Sequence, residues 1–176
     1  PLAPDAVVLS YNSGMNPMKE LYQDRDTSSV LQEVLGRRVI HGGIQEELSG
    51  PARDRLPAVL DRIKPDLVIL GYGMTDIRRQ HDTGELKANL SDMIREAGER
   101  GIDVALIAMP KAGFSMKPDP LYQELAEEFG VPVELDIAFE LMRTHSLKGE
   151  KWTLNDAGVQ RLSEAIRDLL AAHGAL

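Results

Sequence analysis

The chain contains no cysteine among its 176 residues. That excludes disulfides, zinc–thiolate sites, iron–sulfur clusters and a thiol nucleophile together. No stretch approaches the ~20 consecutive apolar residues that a membrane-spanning helix needs, and no internal repeat or linker interrupts the chain. Positive charge is in the minority, 20 Lys and Arg against 28 Asp and Glu, for a formal charge of −8. That is the wrong sign for a protein that works by neutralising phosphates, so nucleic acid and anionic membrane surfaces are not expected partners. No His/Asp/Glu set at ligand spacing and no phosphate-binding glycine fingerprint occurs, so neither a metal nor a cofactor is expected. The first residue is Pro1 rather than methionine. A trimmed N-terminus is therefore expected, and the compartment, periplasmic or secreted against cytoplasmic, is left open.

What is present is ordinary for a folded protein. With 43% hydrophobic and 27% charged residues, a chain of this length is expected to bury a normal core as one domain over residues 1–176. Ala6–Leu9 is an apolar run too short for a helix and suited to a strand buried on both faces. Arg38–Ile40, Asp66–Leu70, Val104–Met109 and Val131–Leu135 read as four further strands. Between them lie helical patterns at Ser28–Leu35, from Pro51 to before Pro65, at Gly84–Arg100 and at Leu121–Phe129, and an amphipathic segment runs from about Asn155 to Ala172. Strands alternating with helices at this spacing predict βαβ units. The expected architecture is a three-layer α/β/α fold with a central, mostly parallel five-stranded sheet.

In an open parallel sheet, ligands bind beyond the carboxyl ends of the strands. That rule selects Ser10–Gly14, His41–Gly43, Gly71–Asp76 and Met109–Gly113, and with them the segment Glu150–Asp156 that opens the last helix. Glycines and small residues gather at the first three, which suits close backbone approach to a ligand and equally suits tight turns. Met15, Met18, Met109 and Met116 fall at the same end, as an adaptable apolar lining or as ordinary packing.

Several blocks, in one order along nearly the whole chain, resemble the SGNH or GDSL-type hydrolases, most closely the thioesterase-I-like arylesterases. They are Leu31–Ile40 with Gly42–Ile44, Arg55–Leu60, Lys64–Leu70 leading to the tetrapeptide Gly73-Met-Thr-Asp76, and Leu154-Asn-Asp-Ala-Gly158 with Arg161-Leu162 and Glu164–Ile166. The resemblance implies the three-layer fold and an ester or thioester (acyl) hydrolase acting on a small-molecule ester. Residue by residue, it puts the nucleophilic serine at Ser13 if Tyr11-Asn12-Ser13 aligns with Gly-Asp-Ser. A one-residue slide instead puts Asn12 in that slot. The oxyanion-hole glycine maps onto Gly43, the oxyanion-hole asparagine onto Thr75, the histidine onto Thr153 and its aspartate partner onto Glu150.

A serine hydroxyl needs an adjacent base to accept its proton as it attacks, and threonine cannot serve. Turnover is therefore expected to be weak, atypical or lost, with a non-catalytic protein that binds an acyl, aryl, carbohydrate or protein ligand as the alternative. A substitute base would come from His41, at the end of the second strand, or from His145, eight residues before Thr153. His81 sits among charged residues and His173 in the C-terminal tail, both suited to solvent. Asp76 is expected to support its loop. Tyr11, where the family has glycine, is expected to fill or reshape the crevice.

Overall fold

The computed structural model describes residues 1–13, 27–111, 117–149 and 153–176. Five strands form one sheet: β1 (Val7–Asn12), β2 (Arg38–His41), β3 (Leu67–Gly71), β4 (Asp103–Ile107) and β5 (Val133–Glu134). Their order is β2-β1-β3-β4-β5 and every pairing is parallel. Among the described residues the helices are α1 (Thr27–Leu35), α2 (Ser49–Ile63), α3 (Met74–Arg78), α4 (Thr83–Glu99), α5 (Pro120–Phe129), α6 (Ile137–Arg143) and α7 (Asp156–Ala172). The expected three-layer α/β/α arrangement is present, with α1 and α7 packed together on one face of the sheet and α2, α4 and α5 on the other. No helix of the described residues is long and apolar enough to cross a membrane.

Alternation along β1 shows how the sequence builds these layers. Leu9 and Tyr11 face α2, so a Cβ added at Gly42 would meet both of them and Val59. Ser10 and Asn12 face the opposite layer, where they line a cavity of about 10 Å³ with Leu31, Leu162 and Ile166. Side chains of a strand alternate across the sheet, so a run buried on both faces must be apolar almost throughout. Ser10 and Asn12 break that rule and compensate by bonding to each other, Asn12 Nδ2 donating to Ser10 Oγ at 2.9 Å.

Three expectations need correcting. β1 runs three residues beyond the predicted Leu9, because Ser10, Tyr11 and Asn12 pair with Ile69, Leu70 and Gly71 of β3. The last strand shrinks from Val131–Leu135 to the two residues Val133–Glu134 at the sheet edge. Helices α3 and α6 lie inside stretches that carry no long periodic pattern and were not expected.

The chain leaves β1 for β2 on one side and returns to β3 on the other. The order therefore reverses between β1 and β3. Loops diverge at such a point and leave a crevice outside the carboxyl ends of the strands.

Candidate functional site

Ser13 follows β1 directly at that point. It is 1% exposed, and its Oγ has no hydrogen-bond partner. Leaving a buried hydroxyl unpaired costs free energy, so such a group in a loop at the sheet's ligand end marks a site rather than a packing choice. The Ser13 carbonyl accepts the Glu46 N–H at 2.8 Å, which fastens the loop after β2 onto the end of β1.

Gly43 lies in the same loop and stacks on β1. A Cβ there would come 1.8 Å from the Asn12 carbonyl oxygen, so only glycine fits, whatever chemistry follows. The Gly43 N–H has no backbone acceptor among the described residues. Thr75 lies on α3, 2% exposed, and its hydroxyl makes no side-chain hydrogen bond among the described residues. The structure thus gathers Ser13 and Gly43 at the end of β1, with Thr75 on the short helix that follows β3.

Asp76 does support its loop, but across to a different helix. Its carboxylate accepts the Ser49 hydroxyl at 2.6 Å and the Ser49 N–H at 3.1 and 3.2 Å. Asn89 Nδ2 donates to Ser49 Oγ at 3.0 Å, and Arg53 donates to Asn89 Oδ1 at 2.7 Å. This chain ties α3 to the start of α2 and to α4. A carboxylate holding three hydrogen bonds in the interior is well compensated and strongly fixed in place.

A second polar network braces the same loop. Arg55 donates two bonds to Glu47, at 2.7 and 3.1 Å, and one to the Gly42 carbonyl at 2.8 Å. The Tyr72 hydroxyl donates to Glu47 at 2.5 Å, and the Arg55 guanidinium lies 5.0 Å from the centre of the Tyr11 ring. Tyr11 does not fill the crevice as expected. It is wholly buried, packs 5.1 Å from the Tyr72 ring and donates to the Ala52 carbonyl at 2.7 Å, beneath α2.

Burial is the main reason that the phenols of Tyr11 and Tyr72 are pushed well above their usual range. For Tyr72 the bond to Glu47 adds to it. Tyr122 is pushed up as well, by burial first and then by the charges of Asp119 and Asp76. Its hydroxyl donates to the Tyr72 carbonyl at 2.6 Å, filling the space where a Cβ on Gly73 would stand. Met109 is 1% exposed and belongs to the core.

The far side of the crevice is built differently. Asn155 caps α7, accepting from the Gly158 N–H at 2.9 Å while donating to the Ser146 and Lys148 carbonyls at 2.8 and 3.2 Å. The Thr153 carbonyl accepts the Gly149 N–H at 2.9 Å. Glu150, Met15, Met18 and Met116 lie outside the described residues.

All four histidines are described. Because Ser13 Oγ has no partner, none of them is hydrogen-bonded to it, and neither is Thr153. His41 ends β2 opposite Ser10. His81 and His145 are exposed, and the His173 ring is engaged with the Leu169 carbonyl at 2.8 Å.

Sequence reasoning missed Glu46, Glu47, Ser49, Arg55 and Asn89. Their partners lie 8 to 40 residues away, and no local pattern announces such pairings.

A parallel sheet flanked by two helical layers, with a buried hydroxyl at its switch point, defines the class as a three-layer α/β/α protein with a ligand crevice beyond β1 and β3. Within that class the chain belongs to the GDSL-like lipase/acylhydrolase family, whose model matches residues 10–176. An arylesterase of Vibrio mimicus is 28% identical over 123 residues, covering 67% of this chain and 59% of that protein. The match thus spans about three fifths of that curated relative's length. The esterase EstA from Pseudoalteromonas sp. superposes with a TM-score of 0.83 at 18% identity, over 98% of this chain and 100% of that one. TesA gives 0.78 at 21% identity, covering 94% and 98%. AlinE4, an SGNH-hydrolase family esterase, gives 0.76 at 21% identity, covering 98% of each. At these identities the three structures show a shared fold.

Proposed function

We propose that this chain keeps the acyl-binding half of an SGNH-type ester or thioester hydrolase site and turns over small-molecule esters weakly or not at all. Ser13 holds the nucleophile position, the Gly43 N–H and the Thr75 hydroxyl are the oxyanion donors, and Thr153 stands where the family's histidine stands. The observation that carries this reading is the unpartnered Ser13 Oγ. A serine whose proton has no acceptor stays a hydroxyl as it meets the carbonyl, and attack is correspondingly slow. Loss of a triad member costs on the order of 10⁴ in rate, while oxyanion donors and binding alone retain a residual acceleration. Exchanging asparagine for the shorter hydroxyl of Thr75 removes a further part of that residue.

Hydrolysis of p-nitrophenyl acetate and butyrate by wild type, Ser13→Ala and Thr153→His tests the reading. The wild type is expected to exceed Ser13→Ala by less than about tenfold, and Thr153→His to exceed the wild type by at least about tenfold. A wild-type kcat in the ordinary enzyme range of about 1–10³ s⁻¹ would sink the weak-turnover reading. Equal background rates for wild type and Ser13→Ala favour the second reading, a non-catalytic binding protein. That reading is supported by the elaborate polar bracing of a crevice that has no base on its serine.

A further inference from the structure

We propose that Arg78 and Arg79 form an anion seat at the rim of the Ser13 crevice, so that the ester or thioester bound there carries a negatively charged group. The Glu46 carboxylate holds that seat in the unliganded protein. The proposal rests on the acyl-ester reading above and narrows its substrate class.

Four observations converge on the rim. Arg78 reaches the Glu46 carboxylate at 3.0 Å, and Arg79 lies 3.9 Å from its other oxygen. All three side chains are about half exposed, so an incoming anion meets them without unfolding anything. The trio carries a net positive charge in a chain whose formal charge is −8, which makes it a local exception.

Both supports of the seat are tied to the site itself. Glu46 gives its N–H to the Ser13 carbonyl at 2.8 Å, so the residue that neutralises the arginines also touches the nucleophile's own peptide. Arg78 lies three residues after Thr75 on α3, which places them on one face of that helix. A ligand whose carbonyl sits between Ser13 and Thr75 therefore extends toward the guanidinium groups.

The backbone on either side of the seat is unusual. Glu46 has φ +58° and Gln80, immediately after Arg79, also has φ +58°. Glutamate and glutamine seldom adopt that conformation without a local reason, and such outliers cluster at ligand-binding segments. Arginine is the side chain best suited to carboxylate and phosphate recognition, through its planar array of N–H donors. When the anion arrives, the Glu46 side chain swings to solvent. Its backbone N–H and the loop bonds of Glu47 stay in place, so the crevice is not dismantled.

Titration of the isotope-labelled protein by NMR tests the seat with three probes: inorganic phosphate, monomethyl succinate and its neutral counterpart dimethyl succinate. Phosphate is expected to shift the Glu46, Arg78, Arg79 and Gln80 amides. Monomethyl succinate is expected to bind about two- to fivefold tighter than dimethyl succinate at low salt, the range for exposed charge pairs. The preference vanishes in 0.2 M salt and in the double variant Arg78→Gln/Arg79→Gln, and it grows in Glu46→Gln. Equal affinity for the two esters in wild type and double variant, with Gly43 and Thr75 amides still shifting, overturns the seat and leaves the acyl-ester reading standing. Failure of both esters to shift Gly43 or Thr75 overturns both together.

Discussion

The two flanks of the crevice are held by different physics. On the β1–β3 flank, side chains hold side chains: Asp76 grips Ser49, Asn89 and Arg53 extend that grip, and Glu47 gathers Arg55 and Tyr72. On the α7 flank, Asn155 binds backbone groups only, two carbonyls and one N–H, and Thr153 contributes its carbonyl rather than its hydroxyl to the Gly149 N–H. A side chain woven into a buried network is costly to exchange, because each deletion strands its partners. A side chain attached to a loop that is fixed through its backbone is cheap to exchange. That difference accounts for a chain that keeps a serine and its braced loop while carrying a threonine at the position of the family's base.

Stability measurements put the comparison at risk. The largest loss is expected for Asp76→Ala, about 3 kcal/mol in urea unfolding, because Ser49 loses the acceptor for both its N–H and its hydroxyl in the interior. Tyr72→Phe should cost about 1–2 kcal/mol through the Glu47 oxygen it leaves short of a donor. It should also soften an alkaline transition. The folded phenols of Tyr11, Tyr72 and Tyr122 keep their protons at pH values where unfolded phenols have lost theirs. The folded state then binds more protons, so stability falls as pH rises from about 10 upward. Urea midpoints between pH 8 and 11 read this directly, and a midpoint flat across that range would refute it. Asn155→Ala should cost least, about 1 kcal/mol, the ordinary value of a helix cap. Equal losses for Asp76→Ala and Asn155→Ala would erase the distinction between the flanks.

The sheet was legible from sequence because fully buried parallel strands leave apolar runs, and Val7–Leu9, Leu67–Leu70 and Val104–Ile107 are such runs. The continuation of β1 through Ser10, Tyr11 and Asn12 was hidden, since two of the three are polar and bond sideways within the strand's own layer. Block similarity located Ser13, Gly43, Thr75 and Thr153 as positions. It carried no information on whether Ser13 Oγ meets a base, because that depends on distances between segments remote in sequence. Tyr11 misled for a simpler reason. A residue one place earlier in register would face the crevice side, but at its actual position the pleat turns it toward α2.

The contact of Gly43 with the Asn12 carbonyl also governs which sequence changes a lineage like this one can explore. A glycine demanded by van der Waals exclusion survives the loss of chemistry, since any side chain would push the loop off β1. Sequence comparison would therefore score this position as preserved in active and inactive relatives alike. Its persistence reports the fit of two backbones, and the residue that distinguishes a working hydrolase from a silent one must be sought across the crevice, at the threshold of α7.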